Sequence, residues 1–228
     1  MLVLGIDTST WAGSIALSQD GRIIGEVNIL AEKTHTKRLI SAVHFLLSEL
    51  DLTINDVDGF AIAIGPGSFT GLRIGLSTVK GFSFATGVKV VPISTLYAMA
   101  MKAKEFGEAI YPMLDAGRGE VYTACYLKKG EDILPEGKEM VISPELFLRE
   151  LTHLPGVFYG DGALRYRELI ERETKEKGVV LDISPFIGEV VARRGEELLR
   201  EGKGVDPAIL EPNYIRPSDA ELARLRKR

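Results

Sequence analysis

Two stretches of this 228-residue chain open in the same way. Leu4-Gly5-Ile6-Asp7-Thr8-Ser9, then Ser14-Ile15-Ala16-Leu17, is an apolar run ending in an acid, a turn of small residues, and a second apolar run. Met113-Leu114-Asp115-Ala116-Gly117, then Tyr122-Thr123-Ala124-Cys125, follows the same plan. An internal repeat restricts a chain to copies of one supersecondary programme. In the first half, apolar periodicity predicts strands at Leu2–Ile6, Gly13–Ser18, Arg22–Ile29, Val57–Ile64 and Lys89–Ile93. Helices are predicted at Thr36–Leu50, at Leu72–Thr86, and from Ser94 or Thr95 through Lys104. Gln19-Asp20-Gly21 joins two of the strands as a hairpin turn. Leu39, Val43, Leu46, Leu47 and Leu50 recur at helical spacing and mark the core face of the first helix.

The second half restarts this βββαβαβα order. Strands are predicted at Ile110–Asp115, Glu120–Leu127, Lys138–Ile142, Val157–Tyr159 and Val179–Asp182. Ser143-Pro144-Glu145 opens a helix with a cap and a first-turn proline. Helices follow at Leu164–Lys175 and from Ser184-Pro185 to Glu201. The expected fold is α/β, with two similar lobes, 1–105 and 106–228, facing across a cleft. A proline-containing tail from Gly202 is expected to wrap back over the body.

Charge limits the partners. With 28 basic and 32 acidic side chains the net charge is −4, too little for a protein that grips nucleic acid unaided. From Arg216 onward, however, there are five basic residues and two acidic ones, either a solvated, frayed terminus or a binding arm. The single cysteine, Cys125, excludes an intramolecular disulfide and sits in an apolar strand as an expected buried thiol. No apolar run approaches the ~20 residues of a membrane span. Met1–Asp7 lacks the basic start of a signal peptide, so a cytoplasmic protein is expected.

Gly65-Pro66-Gly67-Ser68-Phe69-Thr70-Gly71 lies between a strand and a helix, where backbone amides attract an anion. Thr70 and Leu72-Arg73 break the Walker spacing and Thr70 the dinucleotide spacing, and on residues alone a tight turn explains the glycines better than an anion site. Asp7 and Asp115, at strand ends, are placed to hold a nucleotide's metal and phosphates, or to brace their turns. Gly160-Asp161-Gly162-Ala163 is placed to approach an adenosine. Gly71, Gly75, Thr78 and Phe82 form a small-residue stripe that admits a close neighbour, from this chain or from another. Phe45 points at least about 100° from its helix's core stripe, as part of a contact patch or an ordinary exposed residue. His35, His44 and His153 make no metal-ligand spacing, and no hydroxyl sits in a nucleophile elbow. Neither a catalyst nor a cofactor is specified.

Leu4–Ser9, Lys33-Thr34-His35-Thr36, Ile64–Gly75 and Glu211-Pro212-Asn213-Tyr214-Ile215-Arg216-Pro217 together resemble the bacterial TsaB family over nearly the whole chain. The Gly65–Gly75 stretch is the most specific. The resemblance implies the actin/Hsp70/sugar-kinase fold. It also implies a non-catalytic partner of TsaD in forming N6-threonylcarbamoyladenosine at position 37 of tRNAs that read ANN codons. In that family TsaD performs the transfer from threonylcarbamoyl-AMP, the ATPase TsaE joins the complex, and tRNA is met only through it. TsaB pairs with TsaD through its N-terminal lobe and forms homodimers when alone. The partner surface implied here uses Phe45, Gly71, Ile74, Gly75, Thr78 and Phe82, with Asp7, Asp115, Gly160 and Gly162 as vestiges of a nucleotide site. TsaD-like relatives carry a His-x-x-x-His metal pair where this chain has Thr95 and Met99, poor anchors for a hard ion. The competing reading is an active enzyme of the same fold, an ATP-dependent small-molecule kinase or a metallopeptidase-like protein.

Overall fold

The computed structural model describes residues 1–30 and 36–216. The motif residues Lys33, Thr34 and His35, and the basic tail beyond Arg216, lie outside the described residues. The chain divides into two units, Met1–Ala98 with Phe186–Asn213, and Met99–Pro185 with the segment from Tyr214.

The first unit follows the expected order: β1 (Leu2–Asp7), β2 (Ala12–Gln19), β3 (Arg22–Leu30), α1 (Thr36–Ser48), β4 (Gly59–Ala63), α2 (Phe69–Thr86), β5 (Val90–Ile93) and α3 (Thr95–Ala103), which runs across the division. The strands form one sheet in the order β3-β2-β1-β4-β5. β1 is antiparallel to β2 and parallel to β4, and β5 continues the parallel part. Asp20 and Gly21 both take positive φ, 50° and 77°, which matches a two-residue hairpin turn to the twist of its strands. α2 starts three residues before Leu72, because the Ser68 hydroxyl accepts from Gly71 N–H. It ends at Gly87, whose φ of 75° closes the last turn. Leu39, Val43, Leu46 and Leu47 of α1 are buried with Leu4, Ile6, Phe60 and Ile62 in one core.

The second unit repeats that design: β6 (Ala109–Gly117), β7 (Glu120–Lys129), β8 (Asp132–Ile142), α4 (Pro144–Arg149), β9 (Gly156–Tyr159), α5 (Asp161–Arg165), α6 (Arg167–Glu173) and β10 (Gly178–Leu181). Its sheet order, β10-β9-β6-β7-β8, is the first unit's order under the same connectivity. Tyr111 and Phe158 stack at its centre, ring centroids 4.9 Å apart. The expected single helix 164–175 is two short helices, broken at Tyr166, where φ is −107°. Edge strand β10 is protected by its own unit: Gly178 N–H donates to Thr174 Oγ1 at 3.0 Å, and Arg167 donates to the Val180 carbonyl at 3.4 Å.

The units are not the expected halves 1–105 and 106–228. The last helix, α7 (Gly188–Arg200), begins later than Ser184 and packs on the first sheet. Its Val191, Ala192 and Gly195 face that sheet, and a Cβ at Gly195 would overlap the Ala61 methyl. A buried carboxylate fixes the register. Glu196, 2% exposed, accepts from Ser18 Oγ at 2.6 Å and Gly21 N–H at 3.1 Å, and pairs with Arg200 at 2.7 Å. Burial alone would raise the Glu196 pKa, but the hydrogen bonds from Ser18, Arg200 and Gly21 outweigh it and hold the carboxyl below its ordinary value. Beyond α7, Val205 bridges β5 at Val90 and Asn213 N–H donates to the Ile64 carbonyl at 2.7 Å. The stretch from Val205 to Asn213 thus lies along the parallel part of the first sheet.

Candidate functional site

In the first unit, Asp7 is buried at the end of β1 and accepts from Ser9 N–H at 2.8 Å. The loop Gly65–Gly71 lies on the same turn. Ser68 N–H donates to the Ser9 carbonyl at 2.6 Å, and Thr8 Oγ1 donates to the Gly71 carbonyl at 2.8 Å. With Gly71 N–H already on Ser68 Oγ at 3.2 Å, two amides of this helix start are spent within the chain. The glycines have the same origin. A Cβ at Gly71 would overlap the Thr8 carbonyl oxygen, and one at Gly75 would overlap the Thr8 hydroxyl and lie 3.1 Å from Ile62. The close neighbour admitted by the small-residue stripe is therefore β1 and its turn, in the same chain.

Of the six residues expected on the partner surface, five are buried or half-buried within this chain. Gly71 and Gly75 are buried against Thr8. Phe82 packs on the core with its ring 5.9 Å from Phe60, and Ile74 packs beside it. Thr78 is half-buried and donates to the Ile74 carbonyl at 2.9 Å. Phe45 alone of the six faces outward, 55% exposed. Two residues absent from that set accompany it, Ile40 at 58% and Phe84 at 89% exposed. Phe84 had a readable signal. At 100° per residue it falls within about 40° of Arg73 and Ser77, an aromatic on a polar face. α1 and α2 touch one another, so all three apolar residues belong to one pair of adjoining helices.

In the second unit the matching strand-end acid has different company. Asp115 accepts from Gly117 N–H at 3.0 Å through one oxygen and forms an ion pair with Arg165 through the other. The Asp161 carboxylate accepts from Asp115 N–H at 3.0 Å and from Gly162 N–H at 2.8 Å. Asp115 keeps the Arg165 guanidinium charged. Gly160, at φ 118°, and Gly162 press on the Met113–Leu114 backbone, where a Cβ at Gly162 would lie 2.9 Å from it. On α3, Thr95 and Met99 are buried, and the Met99 methyl would lie 2.5 Å from a Cβ at Gly160. Met99 is thus a packing residue.

These residues do not suit a nucleotide with its metal. The acid that would bind the ion is paired with a cation, and Asp161 already holds the amides beside it. Among the described residues no three His, Cys, Asp or Glu side chains are grouped to hold a metal. Burial pushes the Cys125 thiol pKa up. At the opposite end of the second sheet, an apolar depression of about 540 Å³ is lined by Phe106, Leu127, Leu154 and Val179. Among the described residues no helix is long and apolar enough to cross a membrane.

Comparison with known proteins sets these features in a family. Residues 14–174 match the model of TsaD, tRNA N6-adenosine threonylcarbamoyltransferase. The chain is 32% identical to the tRNA threonylcarbamoyladenosine biosynthesis protein TsaB of Bacillus subtilis over 97% of its length and 96% of that protein. It is 33% identical to the Escherichia coli protein of the same name over 95% of each. A Pseudomonas aeruginosa structure, described by its similarity to the peptidase YeaZ, superposes with a TM-score of 0.81 at 29% identity, over 94% of this chain and 99% of that one. At the level of fold alone, the Clostridium difficile activator of 2-hydroxyisocaproyl-CoA dehydratase, solved with bound ADPNP, matches at a TM-score of 0.53 and 13% identity, over 89% and 97%. The fold is the two-unit α/β type of actin, Hsp70 and sugar kinases.

Proposed function

The chain belongs to the TsaB family, and from that premise we propose that it acts in tRNA threonylcarbamoyladenosine biosynthesis as a non-catalytic partner of a TsaD-type protein. The observation that carries the partner role is the exposure of three large apolar side chains, Ile40, Phe45 and Phe84, on the adjoining helices α1 and α2. Large apolar side chains held on a helical surface favour burial against another protein, and aromatic anchors dominate such contacts. The non-catalytic role is supported by Met99, buried as packing, and by Asp115, paired with Arg165.

In this reading the TsaD-type partner performs the transfer and covers the α1–α2 face. A second copy of this chain covers the same face when that partner is absent, so the two assemblies compete. A TsaE-type ATPase joins the pair, tRNA is engaged through the complex, this chain carries no cofactor, and the work is cytoplasmic. Phe84→Asp and Phe45→Asp test the surface directly. Each is expected to keep the wild-type melting temperature and to weaken co-elution with the TsaD-type protein of the same organism at least tenfold, about 1.4 kcal/mol. Wild-type affinity in both variants would exclude the face.

A further inference from the structure

We infer that the nucleotide-type junction of the second unit is closed from within, Arg165 standing in for a metal ion at Asp115 and the Asp161 carboxylate standing in for a ligand's anion at the loop amides. The inference deepens the non-catalytic part of the proposed function and is independent of the partner. It starts from what a strand-end junction offers a ligand: a carboxylate for a cation, and free amides with close-packed glycines for a phosphate or sugar. Each of these is already used here.

The carboxylate comes first. Asp115 Oδ1 is held by Gly117 N–H at 3.0 Å, and Oδ2 by the Arg165 guanidinium, which lies one short helix away on α5. Arg165 stays close to the Tyr166 ring, 5.6 Å from its centroid, so the cation is braced on two sides. A divalent ion arriving at Asp115 meets a resident positive charge and must displace it.

The amides come next. A single Asp161 oxygen receives both Asp115 N–H and Gly162 N–H, at 3.0 and 2.8 Å. An anion carried by the chain thereby occupies donors on both sides of the junction. The glycines Gly160 and Gly162 pack on the Met113–Leu114 backbone, so the closure rests on the two side chains Arg165 and Asp161. Asp115, Asp161 and Arg165 thus place one cation and two anions around the loop amides.

Closure by two side chains can be undone by two substitutions. Calorimetric titration of the full chain with ADP and Mg²⁺ compares wild type, Arg165→Ala, and the double variant Asp161→Gly with Arg165→Ala. Wild type is expected to show no saturable binding to millimolar nucleotide. The double variant, folded by circular dichroism, is expected to bind at least tenfold better than wild type and to lose that gain when Asp115→Asn is added. Arg165→Ala, which changes only an exposed side chain, is expected to gain an intermediate affinity. Wild-type binding that Asp115→Asn abolishes would overturn the inference, and so would folded opened variants that bind no better than wild type. Co-elution with the TsaD-type protein reads the α1–α2 face, so failure here and failure of the proposed partner role are separately visible.

Discussion

The two units share a sheet order and differ at the ends of their first strands. In the first, Asp7 is buried and its turn is bound to the start of α2, an eighteen-residue helix, by Ser68, Thr8 and glycines pressed against Thr8. In the second, Asp115 faces a five-residue helix and is balanced by Arg165, whose side chain is 57% exposed. The sheets agree because strand pairing and the inward alternation of side chains tolerate little change. The strand ends diverge because loops carry few core contacts. The first junction has become a structural knot, and the second a charge-balanced surface.

Substitutions measure how deep that difference runs. Gly75→Leu strikes the knot. With Thr8 and Ile62 in the way, overpacking is expected to destabilise the chain by about 3 kcal/mol, read from denaturant midpoints. A near-wild-type midpoint would mean that α2 can lift from β1. Because Gly75 packs inward, this variant tests the fold, and the partner surface needs Phe84→Asp.

Glu196→Gln strikes the helix that crosses to the first sheet and is expected to cost about 2 kcal/mol at neutral pH, from loss of a buried charged partner. The sign of its pH dependence is fixed. The folded carboxyl lies below its ordinary 4.5, so its contribution is complete above that pH and disappears as pH falls through the folded value. Wild type and Glu196→Gln should therefore converge in strongly acidic solution. A gap unchanged with pH would assign the effect to packing.

The smallest effect belongs to the second junction. Arg165→Ala removes an exposed ion pair and is expected to change stability by no more than about 0.5 kcal/mol. A loss comparable to that of Gly75→Leu would erase the contrast between the junctions.

Much of this was legible along the chain. The hairpin at Asp20-Gly21, the caps at Ser94 and Ser143 and the elements β1 to α3 all follow from residues within a turn of one another. The small-residue stripe was legible as a close approach, but its neighbour was not, because Thr8 is 63 residues from Gly71 in sequence. For the same reason the spacing along α2 points to Phe82 as an outward residue, although it packs on the core, while Phe84 is the exposed one.

The sequence by itself determined the period of each element, the doubled programme and the family, since these rest on local spacing and on motifs read in order. Only the tertiary structure decided that α7 joins the first sheet, that the glycines of α2 face inward, and that Arg165 neutralises Asp115 across 50 residues. An amphipathic helix shows that it has a face to bury without showing against which sheet. A charged residue shows its sign without showing its partner. Both are settled by contacts between distant segments, which local periodicity does not encode.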